Sequence, residues 1–480
     1  MVLDDPDRAP LLPTLPARGV NVVDLERLSP DDLLMLRADD RGQSMNIGAV
    51  ITLEGQKLLD GDGKFDIERA RKTVETRLHL VPRFRQILLI PRFGLGLPLW
   101  VDAQSFNIED HVQIWHSHSR PLNGAQLLLA CEGLRRRRLD DSRPPWEMWF
   151  LPSLTDGRVG LYVKLHHAIA DGVAGVAALA GFLDLDSESL SPPPPRWEPS
   201  SLPTDGQLLL DNLKKRMQST LRKLVVLTHP IASARRAHDA WTVMREWIGQ
   251  TRVSRTSLNH PTGSRRTMRT LSQPLDLYKK IAQDHQAKVN DVLLSAITGG
   301  LRELLAGRGE ALDELTLRAM VPMSQHQRDV RAAGNLNTAM MVSLPIHEAD
   351  PVRRLELIAA ETVELKKKAR PRASMIFHSK LAQKAFLRHL TRQRMASLYV
   401  TNVPGPPVPL YFAGAKLLQV FPVMPIGGNV TLGIGALSYA GEFNITAVAD
   451  PDSCPDLDLF IEGTRKALET MASSKRDKAA

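Results

Sequence analysis

Cysteine is almost absent from this sequence of 480 residues, in which Cys131 and Cys454 are the only two. Two cysteines are too few for a disulfide framework, and neither stands in a CxxC or histidine-rich spacing that would bind a metal. We therefore expect a protein of the reducing cytoplasm that has no structural metal.

Long uninterrupted hydrophobic runs are also missing. The first residues, MVLDDPDRAPLLPTLPARGV, are acidic and are broken by proline where a signal peptide needs an apolar core, so no export signal is expected. The longest uncharged run lies between Lys416 and Glu442, but several prolines and glycines interrupt it. Such a run favours buried strands and turns over a transmembrane helix.

The composition that remains is that of a folded globular protein with a basic surface. Hydrophobic residues make up 43% of the chain, which is long enough for two or three domains. The formal net charge of +9 favours anionic partners, but it does not choose among nucleic acid, membrane lipid and a phosphorylated cofactor. The sequence contains neither a recognisable nucleic-acid-binding module nor the GxSxG motif of serine hydrolases, so we expect neither function.

The alternation of predicted helices and strands indicates an α/β protein of the α+β sandwich type, in three parts. Residues 1–190 and residues 265–480 are each predicted to form a mixed lobe. Residues 191–264 join them, with four consecutive prolines from Pro192 that predict an extended segment. A basic amphipathic helical stretch, 208–250, follows the prolines and either lies on an anionic membrane surface or packs against the lobes.

The stretch with the clearest chemical potential runs from Val159 to Gly175 and reads VGLYVKLHHAIADGVAG. Alternate apolar residues up to Leu165 predict a half-buried strand, and the small and apolar residues after Asp171 predict a helix. Because the pKa of an imidazole lies near neutrality, a histidine at the end of this strand can act as a general base. A single histidine is more often an ordinary core or surface residue, so the hypothesis depends on the complete HHxxxDG pattern.

Residue periodicity predicts several other elements. The patterns indicate a strand Asn46–Leu53, a strand that includes Trp146, a helix Val289–Leu305, a strand Leu398–Val403 and a strand pair at 430–438 and 442–448. Asn290 is expected to be the N-cap of its helix.

The motif HHAIADG resembles the active-site motif shared by chloramphenicol acetyltransferases, peptide-synthetase condensation domains and wax ester synthase/diacylglycerol acyltransferases (WS/DGAT). Further blocks resemble the WS/DGAT family, in the family's order and over most of the chain outside the linker. They are LSPDDLLMLRADD, MNIGAV, HLVPRFRQ, LDDSRPPWEMW, LNHPTGSRR, VNDVLLSAITGGLR, VPMS, TNVPGPPVPLYFAGA and SYAGEFNITAVAD. The resemblance implies two chloramphenicol acetyltransferase-like lobes with a channel between them for acyl-CoA and an alcohol acceptor.

The resemblance also assigns roles in the first lobe. It implies that His167, the second histidine, is the general base, and that His166 and Asp171 support its loop. Gly172 and Trp146 are expected to contribute to substrate binding. The chain departs from the family at Pro145, where a leucine is usual, and a proline there lacks a backbone donor.

In the second lobe, two pairs match residues of the family. Asn290 and Asp291 match an Asn-Asp pair, for which helix capping is an alternative to substrate binding. Thr401 and Asn402 precede the VPGP turn, and one of them is the expected donor to an oxyanion.

The activity that the resemblance implies is acyl transfer from long-chain acyl-CoA, a co-substrate and not a bound cofactor, to diacylglycerol or a fatty alcohol. The products would be triacylglycerol, wax esters or both. The expected location is the cytoplasm, peripheral on the inner membrane or on lipid inclusions. The alternative is a catalytically degenerate family member that binds lipid or coats lipid droplets. Acceptor preference, acyl-chain length and oligomeric state are left open by the sequence.

Overall fold

The structure is a computed structural model that describes residues 25–39, 45–116, 121–152, 154–169, 172–189, 193–227, 252–323, 338–368, 388 and 392–474. Asp171 and the part of the predicted basic stretch from 228 to 250 lie outside the described residues.

The strands of the described chain are distributed over two large sheets and one hairpin. Those of the N-terminal part are β1 Asn46–Leu53, β2 Gln86–Leu89, β3 Leu99–Asp102, β4 Val112–Ile114, β5 Trp146–Leu151 and β6 Val159–His166. Those of the C-terminal part are β7 Thr267–Pro274, β8 Leu317–Met323, β9 Thr338–Leu344, β10 Leu398–Pro404, β11 Tyr411–Phe412, β12 Ala415–Val423, β13 Leu432–Tyr439 and β14 Glu442–Ala449.

The α-helices of the described chain cover these sheets and connect them. They are α1 Pro30–Asp39, α2 Ile67–Arg77, α3 Gly124–Arg136, α4 Gly172–Ala180, α5 Asp205–Leu227, α6 Leu275–Asp284, α7 Val289–Gly307, α8 Pro351–Lys368 and α9 Leu457–Ser473. None of the helices in the described ranges is both long and apolar enough to span a membrane.

The first sheet has the strand order β11-β12-β1-β6-β5-β4, and β6 lies near its centre. Every residue of β6 is buried, because alternate side chains such as Val163 pack into one core while Tyr162 and Lys164 lie under α3. The predicted strand and the helix after it are therefore confirmed, although the strand is buried on both faces and not on one.

The second sheet has the order β7-β14-β13-β10-β8-β9. One of its faces is covered by α7 and α9, which share a core with Val400, Ile434 and Ile445. The combination of two sheets with helices packed on them confirms the predicted α/β fold class.

Two strands from the third predicted segment belong to the first sheet. β12 pairs antiparallel with β1, from Gly48 opposite Val423 to Leu53 opposite Leu417, and β11 pairs with β12 at the sheet edge. The division at residue 265 therefore does not separate the two sheets. The reason is hydrophobic: Leu417 and Val420 of β12 complete the core of the first sheet.

A third core of buried side chains joins the two sheets. Its members come from strands of both sheets, from α3 and from adjoining loops: Val50, Leu122, Leu127, Cys131, Leu134, Trp149, Leu151, Leu154, Tyr162, Met268, Phe421, Val423, Ile426 and Val448. A carboxylate supports this junction, since Glu132 Oε1 accepts from the backbone N–H of Arg266 at 2.7 Å and Glu132 also pairs with Arg135 at 2.5 Å. The two sheets are thus packed together through apolar side chains and a buried polar link.

Candidate active site

The two histidines lie at the end of β6 and are attached by their backbones to both neighbouring strands. The backbone N–H of His166 donates to the carbonyl of Pro145 at 3.0 Å, and that of His167 donates to Met45 at 3.1 Å. The first bond uses the carbonyl of Pro145, a group that proline retains. The proline that departs from the family pattern therefore costs no hydrogen bond at this point.

His166 is buried and is expected to be neutral. Its Nδ1 accepts from the backbone N–H of Ala168 at 3.1 Å, so in the neutral ring the proton resides on Nε2. Burial lowers the pKa of His166 below its ordinary value, and this effect outweighs the nearby carboxylate of Asp39. His166 therefore suits a supporting role better than a proton-accepting one.

His167 is only half-buried and so is more accessible than its neighbour. It directly follows the last residue of β6, in which Leu165 and Val163 lie on the face opposite to that of His166. A small cavity with entirely apolar lining lies further along this face under α4, where it touches Val163, Leu179 and Phe182. A half-buried imidazole at the end of an apolar strand is suited to take a proton from a lipid hydroxyl.

Asn46 was not among the expected site residues, yet it lies directly opposite His166 in the pairing of β1 with β6. Opposed residues of antiparallel strands have their side chains on the same face, with Cβ atoms roughly 5 Å apart. Both residues are buried, and among the described residues no hydrogen-bond partner is found for Asn46 Oδ1 or His166 Nε2. The sequence block MNIGAV identified the strand, but the strand register that pairs these two residues is not readable from either strand alone.

Helix α4 begins at Gly172, directly after the HHxxxDG motif, and residues of α4 lie close to β10 of the second sheet. Gly175 lies against the first strand, since a Cβ there would be 3.5 Å from Ile47 Cδ1. The segment after the histidines therefore lies between the two sheets, where the sequence resemblance implies the substrate channel.

Trp146 is a core residue and not an exposed binding surface, which corrects its expected role. The indole is fully buried, its Nε1 donates to the carbonyl of Phe84 at 2.8 Å, and it stacks on His111 with ring centroids 4.4 Å apart. A side chain that has no exposed surface cannot contact a substrate without a rearrangement of the core. Its position beside Pro145 lets it hold the strand that His166 contacts.

Asn290 and Asp291 do not have equivalent positions. Helix α7 begins at Val289 and its N-cap is Lys288, so Asn290 is its second residue and the predicted N-cap is wrong. Asp291 is 2% exposed, accepts from the backbone N–H of Lys288 at 3.0 Å and accepts from Thr362 Oγ1 at 2.8 Å. These bonds favour the capping alternative for Asp291.

Thr401 and Asn402 point to opposite faces of the second sheet. Asn402 pairs with Ala436, which belongs to the core under α7, so its side chain lies on that face. Thr401 pairs with Gly435, where a Cβ would meet the carbonyl of Pro422 in β12 at 3.0 Å. Thr401 is therefore on the face that looks toward the first sheet, whereas Asn402 is not.

Comparison with known proteins agrees with this architecture. Residues 28–293 match the model of the wax ester synthase/diacylglycerol acyltransferase catalytic domain, and residues 333–472 match that of the WS/DGAT C-terminal domain. A Mycobacterium tuberculosis protein named as a probable diacylglycerol O-acyltransferase, tgs1, is 30% identical over 95% of this chain and 97% of its own.

Solved structures show the same fold. A wax ester synthase/diacylglycerol acyltransferase from Marinobacter aquaeolei VT8 superposes with a TM-score of 0.66 at 22% identity, covering 93% of this chain and 98% of the other. The first condensation domain of the CDA synthetase superposes with a TM-score of 0.59 at 16% identity, covering 94% and 97%.

The fold is thus that of the chloramphenicol acetyltransferase-like acyltransferases. Within that class the chain belongs to the WS/DGAT family, and it is an acyltransferase. The family resemblance read from the sequence is confirmed.

Proposed function

We propose that this acyltransferase transfers a fatty acyl group from long-chain acyl-CoA to the hydroxyl of diacylglycerol or a fatty alcohol, with His167 as general base. The observation that carries the proposal is the histidine pair at the end of β6, in which His166 is buried and neutral while His167 is more accessible. The family membership and the name of the M. tuberculosis relative support the substrate class.

The reaction needs no acyl-enzyme. His167 accepts the proton of the acceptor hydroxyl as its oxygen attacks the thioester carbonyl, and a tetrahedral oxyanion forms. The C–S bond then breaks, and the imidazolium returns its proton to the leaving CoA thiolate. Each histidine begins and ends the cycle neutral, so no further reactant is required.

Thr401 is the better candidate for the oxyanion donor. Its position on the face of the second sheet toward β12 supports this choice, because a donor must face the site where the negative charge develops. The position of Asn402 on the opposite face supports a structural role for its amide.

The acceptors are lipids, so we place the reaction at a membrane or lipid-inclusion surface, with the protein associated peripherally. The formal net charge of +9 supports attraction both to anionic lipid and to the phosphates of CoA.

The test is the release of CoA thiol from long-chain acyl-CoA by purified protein in the presence of diacylglycerol or hexadecanol. We expect release with at least one acceptor and its loss in the His167→Ala variant. His347→Ala is the matched control, because His347 is an exposed histidine far along the chain. Activity retained in His167→Ala would exclude this histidine as the base. Failure of every acceptor with a folded protein would favour the degenerate lipid-binding alternative.

A further inference from the structure

Helix α5 exposes a row of large apolar side chains. Leu210, Leu213, Met217 and Leu221 are 69%, 51%, 61% and 53% exposed, respectively. Their spacing of three and four residues places them along one face of the helix. An apolar row of this length on a helix surface is normally covered by a partner.

The opposite face of α5 is firmly attached to the protein, so the exposure of the row does not result from a loose helix. Leu208 is buried, Asp211 pairs with Arg27 at 2.6 Å, and Lys215 Nζ donates to the carbonyl of Leu25 at 3.0 Å. These contacts hold α5 in an orientation that turns the apolar row away from the protein.

The tip of the β2–β3 hairpin carries two further exposed apolar side chains beside α5. Ile90 is 73% exposed and Phe93 is fully exposed at the tip. Asn212 Nδ2 of α5 donates to the carbonyl of Gly94 at 2.8 Å, which places the tip beside the helix. The two elements together form what we call the docking surface, defined by Ile90, Phe93, Leu210, Leu213, Met217 and Leu221.

Cations border the docking surface. Arg92 lies next to Phe93 at the hairpin tip, and Lys214 and Arg216 lie beside the row on α5, all three with exposed side chains. Asp211 is already paired with Arg27 and Lys215, and the exposed Asp205 lies at the beginning of the helix. The border is therefore complementary to anionic headgroups, while the row itself is complementary to acyl chains.

We infer that the docking surface binds the protein to an anionic phospholipid membrane, with Phe93 and the apolar row at the level of the acyl chains. The inference rests on the proposed function, because the lipid acceptor of that reaction resides in such a membrane. It assigns the attachment to two elements outside the histidine site. The hairpin contributes Ile90 and Phe93, and the helix contributes the apolar row.

Sedimentation with lipid vesicles tests the inference. The 480-residue chain is incubated with vesicles of phosphatidylcholine and phosphatidylglycerol, or of phosphatidylcholine alone. We expect binding to the mixed vesicles and roughly tenfold weaker binding by the triple variant Phe93→Ser, Leu213→Ser, Met217→Ser, because three exposed apolar contacts are removed. Leu129→Ser is the matched control, since Leu129 is 72% exposed on α3 and lies outside the surface.

A second variant tests the cations separately. Arg92→Gln, Lys214→Gln, Arg216→Gln should weaken binding to the mixed vesicles and leave binding to phosphatidylcholine alone unchanged. Equal binding of the triple serine variant and the wild type would overturn the inference. A lower mass of the serine variant by light scattering, with unchanged vesicle binding, would also overturn the inference. That result would show that the surface binds a second copy of this chain.

A lower unfolding temperature of the serine variant with unchanged vesicle binding would likewise overturn the inference, because it would show that another part of the chain covers the surface. The two proposals can fail separately. Wild-type protein that binds the mixed vesicles but releases no CoA with any acceptor contradicts the proposed function alone, and wild-type protein that releases CoA but does not bind the vesicles contradicts this inference alone. The His167→Ala variant should bind vesicles as the wild type does, because His167 lies outside the docking surface.

Discussion

Asn46 and His166 lie directly opposite each other on two antiparallel strands, and each has a buried polar atom for which the described residues offer no hydrogen-bond partner. Buried polar groups are nearly always satisfied, and an unsatisfied one costs about 1–3 kcal/mol. Two such atoms next to the proposed base indicate a site whose packing serves function more than stability.

The first prediction concerns Asn46→Asp. A carboxylate opposite His166 should favour the imidazolium and raise the pKa of His166, which burial now holds low. An imidazolium beside His167 would oppose proton uptake there, so activity should fall at neutral pH and partly recover at higher pH. Titration of the imidazole resonances by NMR measures the change. An unaltered titration of His166 would show that the Asn46 side chain does not face the ring.

The second prediction concerns stability and pH. Burial lowers the pKa values of both His111 and His166 below the ordinary 6.5, so these histidines bind protons more weakly in the folded chain than in the unfolded chain. The stability is therefore complete above pH 6.5 and should decrease as the pH falls below it. Urea unfolding between about pH 7.5 and about pH 5.5 should show this decrease.

His111→Phe provides the corresponding variant. It loses the hydrogen bond of His111 Nδ1 to the carbonyl of Trp146, and so should be less stable at neutral pH, but it also removes one titrating group. Its stability should therefore depend less on pH than that of the wild type. An equally steep dependence would assign the acid sensitivity to other groups.

The third prediction separates Thr401 from Asn402. If the Thr401 hydroxyl meets the oxyanion, Thr401→Ala should lower kcat by about a hundredfold with little change in KM, and Thr401→Ser should restore most of it. Asn402→Ala should affect kcat much less, because Asn402 lies on the face of the second sheet that packs under α7. Steady-state kinetics with a single acceptor decide the matter, and an equal loss of kcat in both alanine variants would contradict the assignment.

The fourth prediction concerns Lys164, whose side chain is completely buried two residues before His166. Its ammonium pairs with Glu147 at 2.9 Å and donates to the carbonyl of Arg137 at 3.0 Å, near the end of α3. Lys164→Met leaves the carboxylate of Glu147 without its ammonium partner and should cost about 3 kcal/mol of unfolding free energy.

The double variant Glu147→Gln, Lys164→Met should lose less stability than the sum of the two single variants, since neither charge is left alone. Lys279→Met is the exposed control: Lys279 pairs with Asp276 at 3.1 Å on the surface, and its loss should cost well under about 1 kcal/mol. Additive losses in the urea unfolding of the double variant would show that the buried pair is not coupled.

The fifth prediction concerns the crossing of α7 and α9. A Cβ on Gly300 would lie 2.5 Å from the carbonyl of Phe460, closer than real contacts allow, so Gly300→Ala should destabilise the protein by about 1–3 kcal/mol. Gly133→Ala is the matched control, because a Cβ on this exposed helical glycine would meet nothing within 4 Å. That variant should gain about 0.5–1 kcal/mol from helix propensity. Equal stability changes in urea unfolding would refute the close packing at Gly300.

Local patterns were sufficient for most individual elements of this protein. The strand Asn46–Leu53 has the predicted bounds, and the strand and helix on either side of the histidines are in their predicted order. Such predictions succeed because the apolar period of a segment depends only on its own residues. The error at Asn290 is of the same local kind, since the N-cap lies two residues earlier, at Lys288, and such a shift changes which side chain caps the helix.

What the sequence by itself determined was the family, and it supplied the candidate site as well, because HHAIADG and the blocks around it are contiguous in the chain. The tertiary structure alone decided that β12 completes the first sheet, that Trp146 is enclosed in the core, and that Thr401 rather than Asn402 faces the first sheet. It also decided that Asn46 lies opposite His166. The physical reason is common to all four: strand register and sheet membership depend on which apolar faces meet, and that choice is made between residues far apart in the sequence.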